Sequence, residues 1–197
     1  MIWLFACTGP ADEGLTDASL GETGADEPAG YACGWEAGDP GDLSSTGAQI
    51  GDTIANVSLH DQCGEEVPLW DFAGEWHIAF MTTAWCSACF GEASGLDESG
   101  VDFEAETGID FSYLVVIFES ATGDPARPED AAPYAEVIGD PEIPVLSDPG
   151  VAMVAATPFD GKELPGKCLL SPEMEILSCW TGHDNDDDAL DIIRGSN

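Results

Sequence analysis

Residues 78–89, Ile-Ala-Phe-Met-Thr-Thr-Ala-Trp-Cys-Ser-Ala-Cys, contain the pattern that decides the fold of this chain. The apolar run and the β-branched residues that end it predict a buried strand. A Cys-x-x-Cys motif follows directly and is expected to begin a helix. Unpaired N–H groups and the positive end of the dipole at a helix N-terminus stabilise a thiolate. The motif therefore predicts that Cys86 attacks disulfides and that Cys89, about one turn further on, resolves the mixed disulfide.

Short apolar runs alternate with helix-length segments on both sides of this motif, which is typical of an α/β layer fold. A central strand is predicted at 111–118, where β-branched and aromatic residues dominate. The segment after Cys89 is predicted to be helical to about residue 106, although its glycines weaken a helix. The other predicted strands are 57–60, 67–72, 78–83, 143–146, 168–170 and 176–179, and the other predicted helices are 127–138 and 186–194.

Four features in order along residues 50–197 resemble the TlpA/ResA-like redoxins of bacterial envelopes, a group within the thioredoxin superfamily. The first is residues 50–74, which are similar to the leading hairpin of that family. The next two are Trp85 with its two cysteines and Glu92, as in the family pattern Trp-Cys-x-Pro-Cys-x-x-Glu. The fourth is residues 165–173, Pro-Gly-Lys-Cys-Leu-Leu-Ser-Pro-Glu, which are similar to Pro-x-x-Phe-Leu-Ile-Asp-Pro-Asp.

The resemblance implies a thioredoxin-like three-layer α/β fold, in which helices flank a central mixed β-sheet with an extra N-terminal hairpin. It implies that Glu92 assists proton transfer at Cys89. It also implies that Pro165 is a cis-proline that faces the cysteines and offers its backbone to a substrate chain, with Pro158 as the alternative. Ala88 stands where the family has proline, and this leaves the direction of electron flow open.

Acidic and small residues make the first 48 residues different from the rest. Residues 1–7 are interpreted as a truncated lipoprotein signal, because Leu-Phe-Ala-Cys resembles a lipobox with Cys7 as the lipidated residue. Residues 8–48 are predicted to be a disordered acidic linker, on which Trp35 can dock onto the domain. Residues 49–197 are the redoxin domain. No other stretch has the roughly 20 apolar residues of a spanning helix, so the lipid would be the only anchor.

The other cysteines are predicted to form structural disulfides. Seven cysteines are an odd number, and lipidation of one leaves six. A hairpin that turns at 173–174 places Cys168 directly opposite Cys179, within the reach of a disulfide. Cys33 and Cys63 then remain as a pair that would join the linker to the domain.

The charge of the chain excludes several partners. There are 39 acidic and 4 basic residues, for a formal net charge of −35. Such a surface repels nucleic acid and anionic lipid headgroups. We interpret the charge as solvation of an exported protein in salty surroundings, and recruitment of a cationic partner is the alternative.

These features predict a monomeric thiol-disulfide oxidoreductase, lipid-anchored to the inner or outer membrane and facing the periplasm. It would exchange disulfides with envelope proteins and an unidentified electron donor, without a dissociable cofactor. A Sco-like copper chaperone is an alternative, with His60, His77 or His183 as a further ligand. A redoxin-fold binding module with a purely structural disulfide is another, and a peroxide reductase is a weaker one. A zinc site is not predicted, because there is only one Cys-x-x-Cys.

Overall fold

Seven strands and five α-helices make up the part of the chain that the structure, a computed structural model, describes. The described residues are 35, 38–109, 111–140, 142–183 and 186–196, apart from the side chains of 97 and 98. The strands are β1 (Ser58–His60), β2 (Glu66–Pro68), β3 (Trp76–Thr83), β4 (Phe111–Glu119), β5 (Val145–Ser147), β6 (Gly166–Leu170) and β7 (Ile176–Thr181). The helices are α1 (Ser87–Ala93), α2 (Leu96–Thr107), α3 (Ala131–Ile138), α4 (Ala152–Ala155) and α5 (Asp187–Gly195).

The strands form one mixed sheet in the order β2-β1-β5-β4-β3-β6-β7. The neighbours β3/β4 and β4/β5 are parallel, because helices connect them, whereas the pairs β1/β2, β1/β5, β3/β6 and β6/β7 are antiparallel. The predicted mixed sheet with an extra N-terminal hairpin is confirmed.

Side chains alternate between the two faces of the sheet and bury a separate apolar cluster on each. Along β4, Tyr113 and Val115 face a cluster built with α1, α2, α3 and α5, which we call the α1 face. Leu114 and Val116 face a cluster built with α4 and the N-terminal part of the domain, which we call the α4 face. Helices therefore cover both sides of the sheet.

Three local predictions were wrong. The predicted strand 67–72 ends at Pro68, and Leu69–Phe72 is a 3₁₀ turn. The helix predicted after Cys89 breaks at residues 94–95 into α1 and α2. The strand predicted at 143–146 is shifted to Val145–Ser147, because its pairing with β4 begins only at Val145. The prediction did not include α4, a four-residue helix whose first N–H groups donate to the buried carboxylate of Asp148.

The described end of the acidic N-terminal segment contacts the domain. The N–H of Gly38 donates to the carbonyl of Asp71 at 2.5 Å, and the rings of Trp35 and Phe72 lie 6.5 Å apart. Residues 1–34, including the proposed lipobox, lie outside the described residues. Within the part that the structure describes, none of the helices is both long and apolar enough to cross a bilayer.

Candidate functional site

A disulfide between Cys86 and Cys89 lies where β3 passes into α1. Cys86 is the N-cap residue of α1, and its Sγ accepts a hydrogen bond from the N–H of Cys89 at 3.3 Å. Cys86 is 9% exposed and Cys89 is 0% exposed. The sulfur that sits at the helix N-terminus is therefore also the one nearer to solvent.

Trp85 presents a large apolar surface next to the disulfide. Its side chain is half exposed, and its Nε1–H donates to Oε2 of Glu119 at 2.7 Å. Glu119 ends β4, and its carbonyl accepts from the N–H of Ala84 at 2.8 Å. The end of β4 thus holds both the backbone before the cysteines and the ring of Trp85. Sequence reasoning did not identify Glu119, because no local pattern pairs it with a residue 34 positions earlier.

The peptide bond between Leu164 and Pro165 is cis, whereas the alternative Pro158 follows a trans bond. Pro165 precedes β6, which pairs antiparallel with β3 so that Gly166 lies opposite Met81. Leu164 packs against the apolar cluster that contains both cysteines. The role of Pro165 in docking a substrate chain stays a prediction.

Glu92 lies one turn after Cys89 on α1 and takes part in a chain of polar contacts. Its Oε1 forms an ion pair with Nζ of Lys167, and its Oε2 lies 2.5 Å from Nδ1 of His183. Nζ of Lys167 also contacts Oδ1 of Asp186 at 2.8 Å. The Oη–H of Tyr113 donates to Oδ2 of Asp186 at 2.8 Å. We call these five residues the Glu92 network.

Lys167 is the most unusual member of this network, because its side chain is only 2% exposed. A buried ammonium requires carboxylate partners to replace its lost hydration, and Glu92 and Asp186 provide two. Its Nζ also lies about 6 Å from the ring centroids of Phe80 and Trp180. Sequence reasoning gave Lys167 no role. The signal was a lysine at an inward position of an otherwise apolar strand.

Tyr113 of the network and the nearby Tyr134 have raised pKa values. Burial, the charge of Asp186 and the hydrogen bond to it together raise the pKa of Tyr113 well above its ordinary range. Burial raises the pKa of Tyr134 to about 12. The ring of Phe90 from α1 stacks on Tyr134 with 4.3 Å between centroids. Both phenols therefore remain neutral near pH 7.

The remaining cysteines fall into two groups. Cys168 and Cys179 lie opposite each other on β6 and β7 and are joined by a disulfide. Cys63 is also disulfide-bonded. Its predicted partner Cys33 and the proposed lipid site Cys7 lie outside the described residues.

The histidines do not gather around the cysteines. His77 is buried between the carbonyl of Phe72 and Oγ of Ser112, and His60 lies on β1. His183 contacts Glu92. Among the described residues, no group of three or more His, Cys, Asp or Glu side chains is arranged to hold a metal ion.

Solved structures with the same fold include thioredoxin-like proteins and a copper-bound protein. A protein assigned as the thiol:disulfide interchange protein DsbE of Chlorobium tepidum has a TM-score of 0.58 at 17% identity, over 75% of this chain and 98% of that one. The exposed lipoprotein thioredoxin Etrx1 of Streptococcus pneumoniae has 0.54 at 21%, over 72% and 99%. Copper-bound ScoI of Arabidopsis thaliana has 0.55 at 18%, over 73% and 96%.

Sequence comparisons add no closer relative. No family model matches the chain, and no curated protein matches it. The identities to the solved structures are low, so the likeness establishes the architecture. The sheet order, the cysteines at the start of α1 and these neighbours agree, and the chain has the fold of the thioredoxin-like redoxins.

Proposed function

We propose that this protein is a thiol-disulfide oxidoreductase that exchanges disulfides with other proteins through Cys86 and Cys89. The observation that carries the proposal is the asymmetry of this disulfide. Cys86 keeps 9% exposure at the helix N-terminus beside the half-exposed ring of Trp85, whereas Cys89 is fully buried. Exchange needs one sulfur that an external thiolate can reach and a second that stays protected.

The exchange follows from this geometry. A substrate thiolate attacks Sγ of Cys86, the Cys86–Cys89 bond breaks, and its electron pair leaves on Sγ of Cys89, which takes up a proton. The second substrate thiol then attacks the substrate sulfur of the mixed disulfide and releases Cys86. The substrate gains a disulfide and the protein a dithiol, and the reverse direction reduces a substrate. The apolar surface of Trp85 supports a protein substrate, for which Pro165 is the proposed docking point, as the resemblance implies.

We also propose the cell envelope as the place of this exchange, with a lipid on Cys7 as the anchor. The support is the lipobox-like sequence at residues 4–7 and two fold neighbours, an exposed lipoprotein thioredoxin and a DsbE protein. Labelling with a fatty-acid probe in a bacterial host tests the anchor, with Cys7→Ser as the matched variant. Label that persists in Cys7→Ser would contradict it.

The exchange proposal is tested by a glutathione redox titration of the full chain, with every cysteine followed by alkylation and mass spectrometry. We expect Cys86 and Cys89 to titrate reversibly as one pair, between about −270 mV, as in thioredoxin, and about −120 mV, as in a strong oxidant. The value then indicates the direction of electron flow. A pair that remains locked or inert across this range would leave a binding module as the better description.

A further inference from the structure

We propose that His183 is the proton carrier between solvent and the redox centre, and that it acts through Glu92. This proposal rests on the proposed exchange function. His183 is a positioning residue in this scheme, because it touches Glu92 and not the reacting sulfurs. The support is that one carboxylate oxygen of Glu92 contacts the buried Lys167 and the other contacts the exposed His183.

The two carboxylate oxygens of Glu92 face opposite environments. Oε1 is held by the buried ammonium of Lys167, whereas Oε2 contacts Nδ1 of His183, whose side chain is 52% exposed. Glu92 itself is 20% exposed. His183 is therefore the member of the network with the widest access to water, and Glu92 lies between it and the interior.

Glu92 also lies on the helix face that leads to the disulfide. Cys89 and Glu92 are three residues apart on α1, and residues with this spacing share one side of a helix. Cys89 is completely buried, so bulk water has poor access to the thiolate that forms there when the disulfide opens. A carboxyl group one turn away that is linked to an exposed imidazole provides a route for the proton.

The other members of the network fix Glu92 and do not compete for this role. Lys167 from β6 is held on its other side by Asp186 at the start of α5, and Tyr113 from β4 donates to Asp186. Asp187 of α5 also lines the surface pocket over the network. Tyr134 of α3 also lies close enough for the charge of Glu92 to contribute to its raised pKa. Three carboxylates and one ammonium therefore leave two negative charges around the imidazole of His183.

The proton balance is simple. When a thiolate attacks Cys86, the electron pair of the broken bond goes to Cys89, and the imidazolium of His183 gives its proton to the carboxylate of Glu92. Glu92 then passes this proton to the new thiolate, and hydronium or the buffer acid recharges His183 at the surface. Histidine is suited to this step because its ordinary protonation range lies between about pH 5 and 8.

The test measures how fast dithiothreitol reduces the Cys86–Cys89 disulfide between pH 5.5 and 8.5, with quenched alkylation and mass spectrometry of both cysteines. His183→Gln keeps a hydrogen-bond donor to Glu92 but cannot carry a proton. General acid–base transfer contributes about 10²–10⁴-fold, and some protons still arrive from water, so we expect His183→Gln to be about tenfold slower at pH 6. The difference from wild type should vanish near pH 8.5. His60→Gln is the matched control and should follow wild type.

Two further variants separate proton transfer from a structural effect. Imidazole in the buffer should restore the rate of His183→Ala, because the vacated position is open to solvent. Adding His183→Gln to Glu92→Gln should cause no further loss if His183 acts only through Glu92. Equal loss at every pH without imidazole rescue, or an unchanged pH profile, would overturn the role of His183 alone. A disulfide that dithiothreitol does not reduce in the wild type would overturn the exchange function as well.

Discussion

The disulfides Cys86–Cys89 and Cys168–Cys179 lie on opposite faces of the same sheet, and they differ in secondary structure and in neighbouring groups. The first joins residues three apart at the start of α1, on the α1 face, beside an exposed tryptophan and a network of charged groups. The second joins residues 11 apart on neighbouring strands, and its Cys168 is fully buried on the apolar α4 face.

Strand β6 connects the two regions. Lys167 points to the α1 face and into the Glu92 network, while the next residue, Cys168, belongs to the cluster on the α4 face. The alternation of side chains along a strand therefore places a charged support for one disulfide directly beside the other. We therefore expect the helix end and the neighbouring charges to decide whether each disulfide exchanges or stabilises.

The largest expected effect comes from replacing Cys86 in the disulfide that we propose to be reactive. Cys86→Ser removes the sulfur that an external thiolate attacks, so disulfide exchange with a reduced protein substrate should fall by about 10³-fold or more. The melting temperature of Cys86→Ser should stay near that of wild type, because the Cys86–Cys89 disulfide closes a loop too short to constrain the unfolded chain much. Thermal unfolding and an exchange assay on one preparation check both statements. Exchange that survives in Cys86→Ser would contradict the assigned nucleophile.

The next largest effect concerns Lys167, which pairs with Glu92 near the Cys86–Cys89 disulfide. Lys167→Met removes the ammonium that Glu92 and Asp186 share. The two carboxylates then lose their common partner, so the free energy of unfolding should fall by about 3–5 kcal/mol. Denaturant unfolding measures it. Lys162→Met is the matched control, because Lys162 pairs with Asp160 on the surface and should contribute nothing measurable. Equal stability of both variants would show that the carboxylates of Glu92 and Asp186 need no cation between them.

Removing the Cys168–Cys179 disulfide should lower stability and leave exchange nearly unchanged, which is the opposite of the effects of Cys86→Ser. The double variant Cys168→Ser/Cys179→Ser should lose about 2–4 kcal/mol of stability, the usual contribution of a disulfide, because the bond restricts the unfolded chain. Its rate of exchange through Cys86 should stay within about threefold of wild type, since the two centres lie on different faces. Loss of exchange in a double variant that is still folded would show that the reactivity of Cys86 depends on the Cys168–Cys179 disulfide.

Local patterns were sufficient for both disulfides. A Cys-x-x-Cys after a buried strand predicts its own position at a helix start. The pairing of Cys168 with Cys179 follows once the hairpin turn is located, because antiparallel strands leave one register. The mixed sheet was predictable from alternating apolar runs and the resemblance, and it is present.

The Glu92 network was not predictable in the same way. Lys167 meets Glu92 and Asp186 only because α1, β6 and α5 converge, and no spacing along the chain encodes that convergence. Asp186 was predicted only as the first residue of a helix. The break between α1 and α2 and the short α4 were missed because cap contacts, such as those of Asp148, decide elements of this length.

The smallest expected effect sharpens the description of the α1 face, where Tyr113 and Tyr134 are buried. Their raised pKa values mean that the folded protein keeps protons that the unfolded chain loses above about pH 10. Stability should therefore fall as pH rises above 10, and less steeply in Tyr113→Phe. In a Tyr31→Phe background, phenolate absorbance should show ionisation of Tyr134 near pH 12 and none from Tyr113 before unfolding, which far-ultraviolet circular dichroism reports. A phenolate signal centred near pH 10 in folded protein would contradict the burial of both rings.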